Sequence, residues 1–405
     1  MRTSEWKSVK LGDVITFQRG FDLPKGKREK GTIPIISSSG TDGFHNESKV
    51  KGPGVVTGRY GTLGKVFFVE EDFWPLNTTL YVRDFKENDP KFVSYFLSTL
   101  NLANQNTAGA VPGLNRNALH LINVEVPVIG IQKKIASILS SYDDLIENNK
   151  RRIEILEHMA KLIYEEWFVK FRFPGHENVK MISSELREIP EGWKICRVGS
   201  LLSSLESGSR PKGGVGDLGE GIPSIGAENI IGLGIYDFSK EKYVSSEFFN
   251  KMKKGIVKHK DVLLYKDGAK IGRKTMFCDN FPHGKCCINE HVFILRSKDQ
   301  KCQNYLYFWL DLDFMTENIK NLNSNAAQPG INQEDVKSLP ILIPPIEIIE
   351  EINKILEPIL NQIFILAKKN QNLRKTRDLL LPKLISGEID VSDLDIHIRN
   401  EFQES

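Results

Sequence analysis

Apolar residues recur at alternating steps of three and four over two long stretches of the chain. After Pro127 they fall at Ile131, Ile135, Ile138, Tyr142 and Leu145, then at Ile153, Leu156, Ala160, Ile163 and Trp167. After Pro344 and Pro345 they fall at Ile348, Ile352, Ile355, Ile359, Ile363 and Leu366, then at Leu373, Leu380 and Leu384. The spacing predicts two long amphipathic helices, and its persistence points to a coiled-coil seam rather than to helices lying on a sheet. About forty residues at a rise of roughly 1.5 Å each make a rod of about 60 Å. Pro358 should kink the second rod, because proline has no N–H and crowds the preceding turn. Elsewhere short β-branched and aromatic runs are cut by Gly, Pro, Asn and Ser, which predicts mixed α/β domains rich in strands and loops.

The rods end two copies of one sentence. GLNRNALHLINVEVPVIGIQKKI (113–135) returns as GINQEDVKSLPILIPPIEIIEEI (330–352), 217 residues later. Upstream, EWKSVKLGDVITFQRG (5–20) answers GWKICRVGSLLSSLESG (192–208), with Trp6 against Trp193. IPIISSSGTDG (33–43) answers IPSIGAENIIG (222–232), and VVTGRYGTLGKVFFV (55–69) answers VLLYKDGAKIGRKTMF (262–277). Order is kept while the offset grows from 187 to 217 residues, so the second copy carries longer surface loops.

Connectivity then suggests an arrangement. The first helix delivers the chain from unit one to unit two, and the second must run back if it pairs with the first, so the pair is expected to be antiparallel with pseudo-twofold symmetry. The expected fold class is α/β: two similar mixed α/β domains in tandem, separated by the two helices and set at opposite ends of the rod. The expected boundaries are 1–129 for the first domain, 130–172 for the first helix and 173–345 for the second domain. The second helix follows over 346–386 and an acidic C-terminal tail over 387–405.

Composition narrows the class. With 405 residues the chain is long enough for two independent cores, and no apolar run approaches the roughly 20 residues a membrane span needs. No apolar signal segment opens the sequence, which reads as cytoplasmic with no membrane partner. The five cysteines all lie from Cys196 onward, an odd and lopsided set for disulfides. Cys278, His283, Cys286 and Cys287 lack the C-x-x-C spacing of a zinc site. The net charge is only +3, but Lys251 to Lys274 holds nine cations against Asp261 and Asp267. Such a patch serves nucleic acid or an ordinary solvated face.

A search for catalysis finds little. No NPP[YF] motif or Gly-rich strand-turn-helix suggests methylation or S-adenosylmethionine binding. GRYGTLGKV (58–66) and GAKIGRKT (268–275) fail as phosphate loops, in glycine spacing or in the required Ser/Thr. Asp299-Gln300-Lys301 matches the tail of a nuclease D-x-K without a partner acid. His158 reads as a surface or seam-edge residue. The chain reads as non-catalytic, with no metal and no cofactor of its own.

Two related domains on a twofold frame suit two sites spaced along one linear object, and double-stranded DNA is the natural one. Because RYGTLGK and KDGAKIGRK share a scaffold but not side chains, the two half-sites should differ. Lys and Arg neutralise phosphate, and polar side chains read base edges. In the first domain the candidates are Arg59, Tyr60, Thr62 and Lys65, on a loop freed by Gly58, Gly61 and Gly64. The second offers Lys266, Lys270, Arg273 and Lys274. A Gly-rich hairpin with solvated charges is the competing account of both loops. Asn77, Thr78 and Thr79, matched to Asn289, Glu290 and His291, follow the next strand. Arg116 and Gln333 come after Asn115 and Asn332, whose side chains are expected to cap the next segment. Arg19, Lys25, Lys27, Arg28 and Lys30 should grip phosphate, with Arg210 and Lys212 at the equivalent place. The aromatic cluster Trp167, Phe168, Phe171 and Phe173 exceeds what a two-helix seam can bury, so part should pack on the globular units and part await a partner. The competing classes are a two-headed scaffold that does not bind DNA and a free-standing nuclease.

EWKSVKLGDVITFQRG with GWKICRVGSLLSS, the GLN and GIN turns with their IPP-like segments, IYEEWFVKFRFPG (163–175), IPEGWK (189–194) and RDLLLPKLISGEIDV (377–391) together resemble the specificity (S) subunits of type I restriction-modification systems. The resemblance covers essentially the whole chain. It implies two target-recognition domains, each reading half of a bipartite DNA sequence, and helical regions that dock two methyltransferase (M) subunits. Restriction (R) subunits join that core, and S-adenosylmethionine, ATP and Mg²⁺ are used by the partner subunits. The chain departs from the pattern at Pro358 and at Glu350 and Glu351, where the first copy has Lys133 and Lys134.

Overall fold

The computed structural model describes residues 5–105, 112–184, 187–212, 214, 215, 218–278, 280–322 and 330–396. The chain divides into two compact units, residues 1–145 with 373–405 and residues 146–372. Each unit therefore takes in part of both long helices, and the start of the acidic tail belongs to the first.

In unit 1, β1 (Trp6–Lys10) leads through α1 (Leu11–Val14) to β2 (Thr16–Arg19). β3 (Ile33–Ser37) and β4 (Gly40–His45) form a hairpin, and β5 (Gly54–Gly58) and β6 (Val66–Val69) form another. After β7 (Trp74–Pro75) and β8 (Thr79–Asp84) come α2 (Pro90–Thr99), α3 (Arg116–His120), β9 (Asn123–Pro127) and α4 (Ile129–Phe168). The main sheet has the order β2-β8-β5-β6, beside a smaller sheet β4-β3-β7 and the pair β1-β9. Its core joins Phe17, Val55, Leu80 and Val82 to Phe92, Phe96, Ile135 and Leu139. α2 starts where it does because the Asp89 side chain accepts the Phe92 N–H and Pro90 occupies the first turn, where a missing N–H is harmless.

Unit 2 repeats the plan. A short hairpin of β10 (Met181–Ile182) and β11 (Ile189–Pro190) precedes β12 (Lys194–Arg197), α5 (Val198–Leu201) and β13 (Leu202–Ser207). β14 (Ile222–Ile225), β15 (Ile230–Gly232), β16 (Ile235–Tyr236), β17 (Tyr243–Val244) and α6 (Ser246–Lys251) follow. Next come β18 (Val262–Tyr265), β19 (Lys274–Met276), β20 (Cys287–Ile288) and β21 (Val292–Ser297). The unit closes with α7 (Gln303–Asp311), α8 (Asp313–Asn321), α9 (Gln333–Ser338), β22 (Pro340–Ile343) and α10 (Ile346–Ile385). Its main sheet has the order β13-β21-β18-β19 and its terminal pair is β12-β22, as in unit 1. Even the parallel contact recurs, β3 on β7 in one copy and β14 on β20 in the other.

α4 and α10 each run unbroken for 40 residues, and α10 continues through Pro358 on its exposed side. Within unit 1, Arg377 of α10 pairs with Asp143 of α4. Within unit 2, Asn370 accepts from Asn149 Nδ2 at 2.9 Å, and Tyr164 and Ala160 share a core with Leu356 and Ile352. Later α4 residues meet earlier α10 residues, so the pair is antiparallel.

α4 stops at Phe168 because Phe171 adopts a left-handed backbone at φ 59° and the Arg187 guanidinium caps the carbonyls of Phe168 and Val169. The aromatic excess is absorbed inside unit 2: Trp167, Phe168 and Phe173 are buried, and Phe168, Phe171 and Phe173 ring Trp193. The acidic tail is anchored in unit 1, where Val391 is buried and Ser392 donates to Glu5 at 2.8 Å.

Candidate nucleic-acid interface

The Gly58–Lys65 loop is the turn of the β5–β6 hairpin. Its Gly58 and Lys65 ends are joined by a backbone bond of 3.2 Å. A Cβ on Gly58 would lie 1.8 Å from the Thr62 carbonyl oxygen, and Gly61 and Gly64 take φ of 78° and 69°, so glycine is needed here. Arg59 is held on both sides: its N–H donates to the Thr78 carbonyl at 2.9 Å and its carbonyl accepts from Leu114 at 3.0 Å. Its guanidinium rests 4.4 Å from the centre of the Tyr60 ring. A Cβ on Gly113 would come within 2.4 Å of that ring, so this glycine lets the Tyr60 loop and the 113–117 segment meet.

The result is a groove of about 960 Å³ lined by Arg19, Arg59, Arg83 and Arg116 together with Gln18, Asp22, Tyr60 and Asn115. Four of the sequence candidates converge here: Arg19, Arg59, Tyr60 and Arg116. Asn115 caps α3 by accepting the Asn117 N–H at 2.9 Å, which leaves Arg116 exposed as the first helical residue. Thr62, Lys65, Lys25 and Lys27 are exposed beyond the groove, and Asn77 donates to Asp22 at its edge. Thr78 contributes its carbonyl, while its hydroxyl is buried. Arg28 is engaged elsewhere, mostly buried and bonded to Asp42 of β4 through both its carbonyl, at 2.6 Å, and its carboxylate, at 2.8 Å. It fastens a hairpin and is not a free phosphate grip.

Arg83, the fourth arginine, is not evident from sequence because it looks like the end of a strand. Its partner in unit 2 is Arg296, at the same step of the matching strand. There Arg296 bonds Asp261 at 2.6 Å through two nitrogens and also meets Glu206. The positions of those two acids are held in unit 1 by Gly54 and Gln18. Without them Arg83 is exposed to the groove.

Hydrogen bonds fix the correspondence between the copies. Lys266 donates to the His291 carbonyl at 3.1 Å and accepts from Ile331 at 2.9 Å, as Arg59 does with Thr78 and Leu114. Leu76 and Asn289 donate to Ile36 and Ile225 in the same way. The match of Asn77 to Asn289 is therefore one residue out: Asn77 corresponds to Glu290 and Thr78 to His291. Asn289 accepts the His291 N–H at 3.0 Å and shapes its own loop.

Unit 2 has one more residue in its hairpin turn, and Lys274 consequently falls on the strand step of Val66. Strand alternation points it inward. Its side chain is 4 % exposed, pairs with Asp311 at 3.2 Å and donates to Thr316 at 2.9 Å, and burial lowers its affinity for a proton. The assignment of Lys274 to DNA is corrected accordingly. With Lys270 and Arg273 it lines a separate cavity of about 870 Å³ that also receives Glu157, Lys161 and Asp313. Burial, and then Asp311, push the Glu157 carboxyl up to about 7.

The unit 2 counterpart of the arginine groove is chemically different. Asp267 stands for Tyr60 and holds His291 Nδ1 at 2.6 Å, while Glu290 pairs with Arg210 at 2.9 Å. Lys212 is exposed nearby in sequence, and Gln333, half-buried, follows Asn332 of a complete capping box.

Other motifs take structural roles. The Asp299 side chain accepts the Lys301 N–H at 2.9 Å and caps a turn, so the D-x-K match has a local purpose. Among the described residues no group of three or more His, Cys, Asp or Glu is placed to hold a metal, and no helix is long and apolar enough to cross a membrane. The five thiols are unbonded to one another, and burial raises that of Cys287 to about 11.

Comparison with known proteins agrees with this architecture. A type I restriction enzyme specificity subunit (MjaIX) of Methanocaldococcus jannaschii is 30 % identical over 291 residues, 70 % of this chain and 64 % of that one. The match thus spans under two thirds of that relative's length. The MjaVIII specificity subunit of the same organism is 23 % identical over 410 residues, 96 % of this chain and 94 % of its own. The crystal structure of an S subunit from M. genitalium shares the fold, with a TM-score of 0.57 at 15 % identity over 94 % of this chain and 96 % of that one. The sequence profile of the type I restriction modification DNA specificity domain matches twice, over residues 3–158 and 190–375, so each copy of the repeated strand order is one such domain and the chain belongs to that family.

Proposed function

We propose that the chain reads a bipartite, asymmetric double-stranded DNA site, one half through each unit, as the specificity subunit of a type I restriction-modification complex. The supporting observation is one hydrogen-bonded frame built twice and furnished differently: Arg59, Tyr60 and Arg116 in unit 1 against Lys266, Asp267 and Gln333 in unit 2. A shared function for the frame alone would not call for such divergent side chains, whereas two unlike half-sites would. Methyl transfer, ATP hydrolysis and cleavage, with their S-adenosylmethionine, ATP and Mg²⁺, fall to M and R partners in the cytoplasm. Ile155, Met159 and Leu162 stay exposed on one face of α4 within unit 2, an apolar stripe that suits an M subunit.

The test is binding of the M-bound chain to duplex DNA across a salt series, followed by mapping of methylated adenines. Affinity should fall steeply with salt, by about 0.9 log units per log unit of salt for each neutralised phosphate. The methylated motif should be split, and exchange of residues 1–129 should alter one half alone. Salt-independent binding would return the chain to the class of two-headed scaffolds, and both halves changing together would refute the assignment of one half to each unit.

A further inference from the structure

Around the shared pair Arg59 and Lys266, the two units furnish the frame with different side chains. Arg19 faces the groove where unit 2 has Ser207, Tyr60 where it has Asp267, Asn77 where it has Glu290, and Arg116 where it has Gln333. Arg83 is free of the acids that neutralise Arg296.

Two features set Arg59 and Arg116 apart from the loop lysines. Arg59 has its backbone clamped by bonds of 2.9 and 3.0 Å, and its guanidinium rests against the Tyr60 ring, which narrows the positions its fork can take. A planar fork pairs two acceptors at once, on a base edge as on a phosphate, whereas exposed Lys25, Lys27 and Lys65 supply charge alone on flexible stems. Arg116 follows the Asn115 cap, is exposed and lines the same groove, so the fold asks nothing of its guanidinium.

We infer that unit 1 reads guanine: Arg59 and Arg116 present their planar forks to the O6 and N7 acceptors of G·C pairs in the major groove of its half-site. This rests on the DNA-reading function proposed above. A guanidinium has donors only, so it matches the two acceptors of guanine, meets the amino donor of adenine or cytosine unfavourably, and finds one acceptor on thymine. In unit 2 the equivalent acids are already engaged, Asp267 with His291 and Glu290 with Arg210, so the guanine reading is confined to unit 1.

The experiment is methylation mapping by long-read sequencing with the full chain bound to its M subunits, comparing wild type with Arg116→Ala and Arg59→Lys. The lysine variant keeps charge and loses the fork, and Arg116 is exposed, so neither change threatens folding. Each should make one G·C pair degenerate in the same half of the motif, with preference at that pair falling about 10- to 100-fold and the other half intact. The inference is overturned if methylation weakens equally at all sites with every position kept, the behaviour of phosphate contacts, or if the degenerate pair is A·T. A wild-type complex without sequence preference would instead remove the reading on which the inference stands.

Discussion

Arg83 and Arg296 occupy one framework position in opposite circumstances, and replacing each by methionine should separate them. Arg296 is 17 % exposed, and its partners Asp261 and Glu206 are 2 % and 15 % exposed. Methionine there leaves two carboxylates side by side without a cation, and removing one member of a buried ionic group costs about 3–5 kcal/mol. In a unit spanning 146–372, each kcal/mol shifts the unfolding midpoint by about 2–4 °C. The Arg296→Met midpoint should therefore drop by roughly 6–20 °C in a calorimetric scan of the full chain. Burial already raises the Asp261 carboxyl against the pull of Arg296, and losing that pull raises it further. A carboxyl raised in the folded state is most compatible with folding below its unfolded value and loses that advantage as pH rises through the folded one. The variant's deficit should consequently be smaller at pH 4–5 than at pH 7. Arg83→Met, at an exposed position, should stay within about 0.5 kcal/mol of wild type while weakening DNA binding. Equal thermal losses for the two variants would refute the claim that Gly54 and Gln18 set Arg83 free.

Three further outcomes are expected. Glu157→Gln should stabilise unit 2 at pH 8, by up to about 3 kcal/mol, and should remove a loss of stability that wild type shows between pH 4.5 and about 7, measured by urea titration at each pH. Asn370→Leu leaves buried Asn149 and the Ile146 carbonyl without their partner and should cost about 1–3 kcal/mol. Adding Asn149→Leu should recover much of that cost, and a double variant as weak as the single one would deny the pairing. Gly113→Ala drives a methyl into the Tyr60 ring, which should cost ~1–3 kcal/mol of stability and, by displacing that ring from the groove, lower DNA affinity in a fluorescence titration. Gly330→Ala meets only a movable carboxylate oxygen of Asp267 at 3.0 Å and should do less.

The repeat was legible because its markers are residues with local physical duties: Gly113 and Gly330 at a close approach, Asn115 and Asn332 as caps, and the three-four apolar spacing of α4 and α10. The groove was partly legible for the same reason, since Arg59, Tyr60 and Arg116 sit beside those markers. What failed depended on long-range geometry. One additional residue in the β18–β19 turn moved Lys274 to an inward step, and a one-residue slip put Asn289 in the place of Glu290. Arg83 was missed because its freedom is decided by what stands at Gly54 and Gln18, remote in sequence. Arg28 read as a loop cation until Asp42, across a hairpin, claimed it. The anchoring of Val391 was hidden by the charges around it.

The paired caps carry a consequence for how such a chain changes its preference. In both copies an asparagine secures the turn with its own side chain, and the very next residue, Arg116 or Gln333, is left outside that duty. On the DNA-reading function proposed above, anchorage and choice of base fall to neighbouring codons rather than to one. A single nucleotide change can exchange the second without disturbing the first, so new specificities are reachable by small steps from a chain that remains folded throughout.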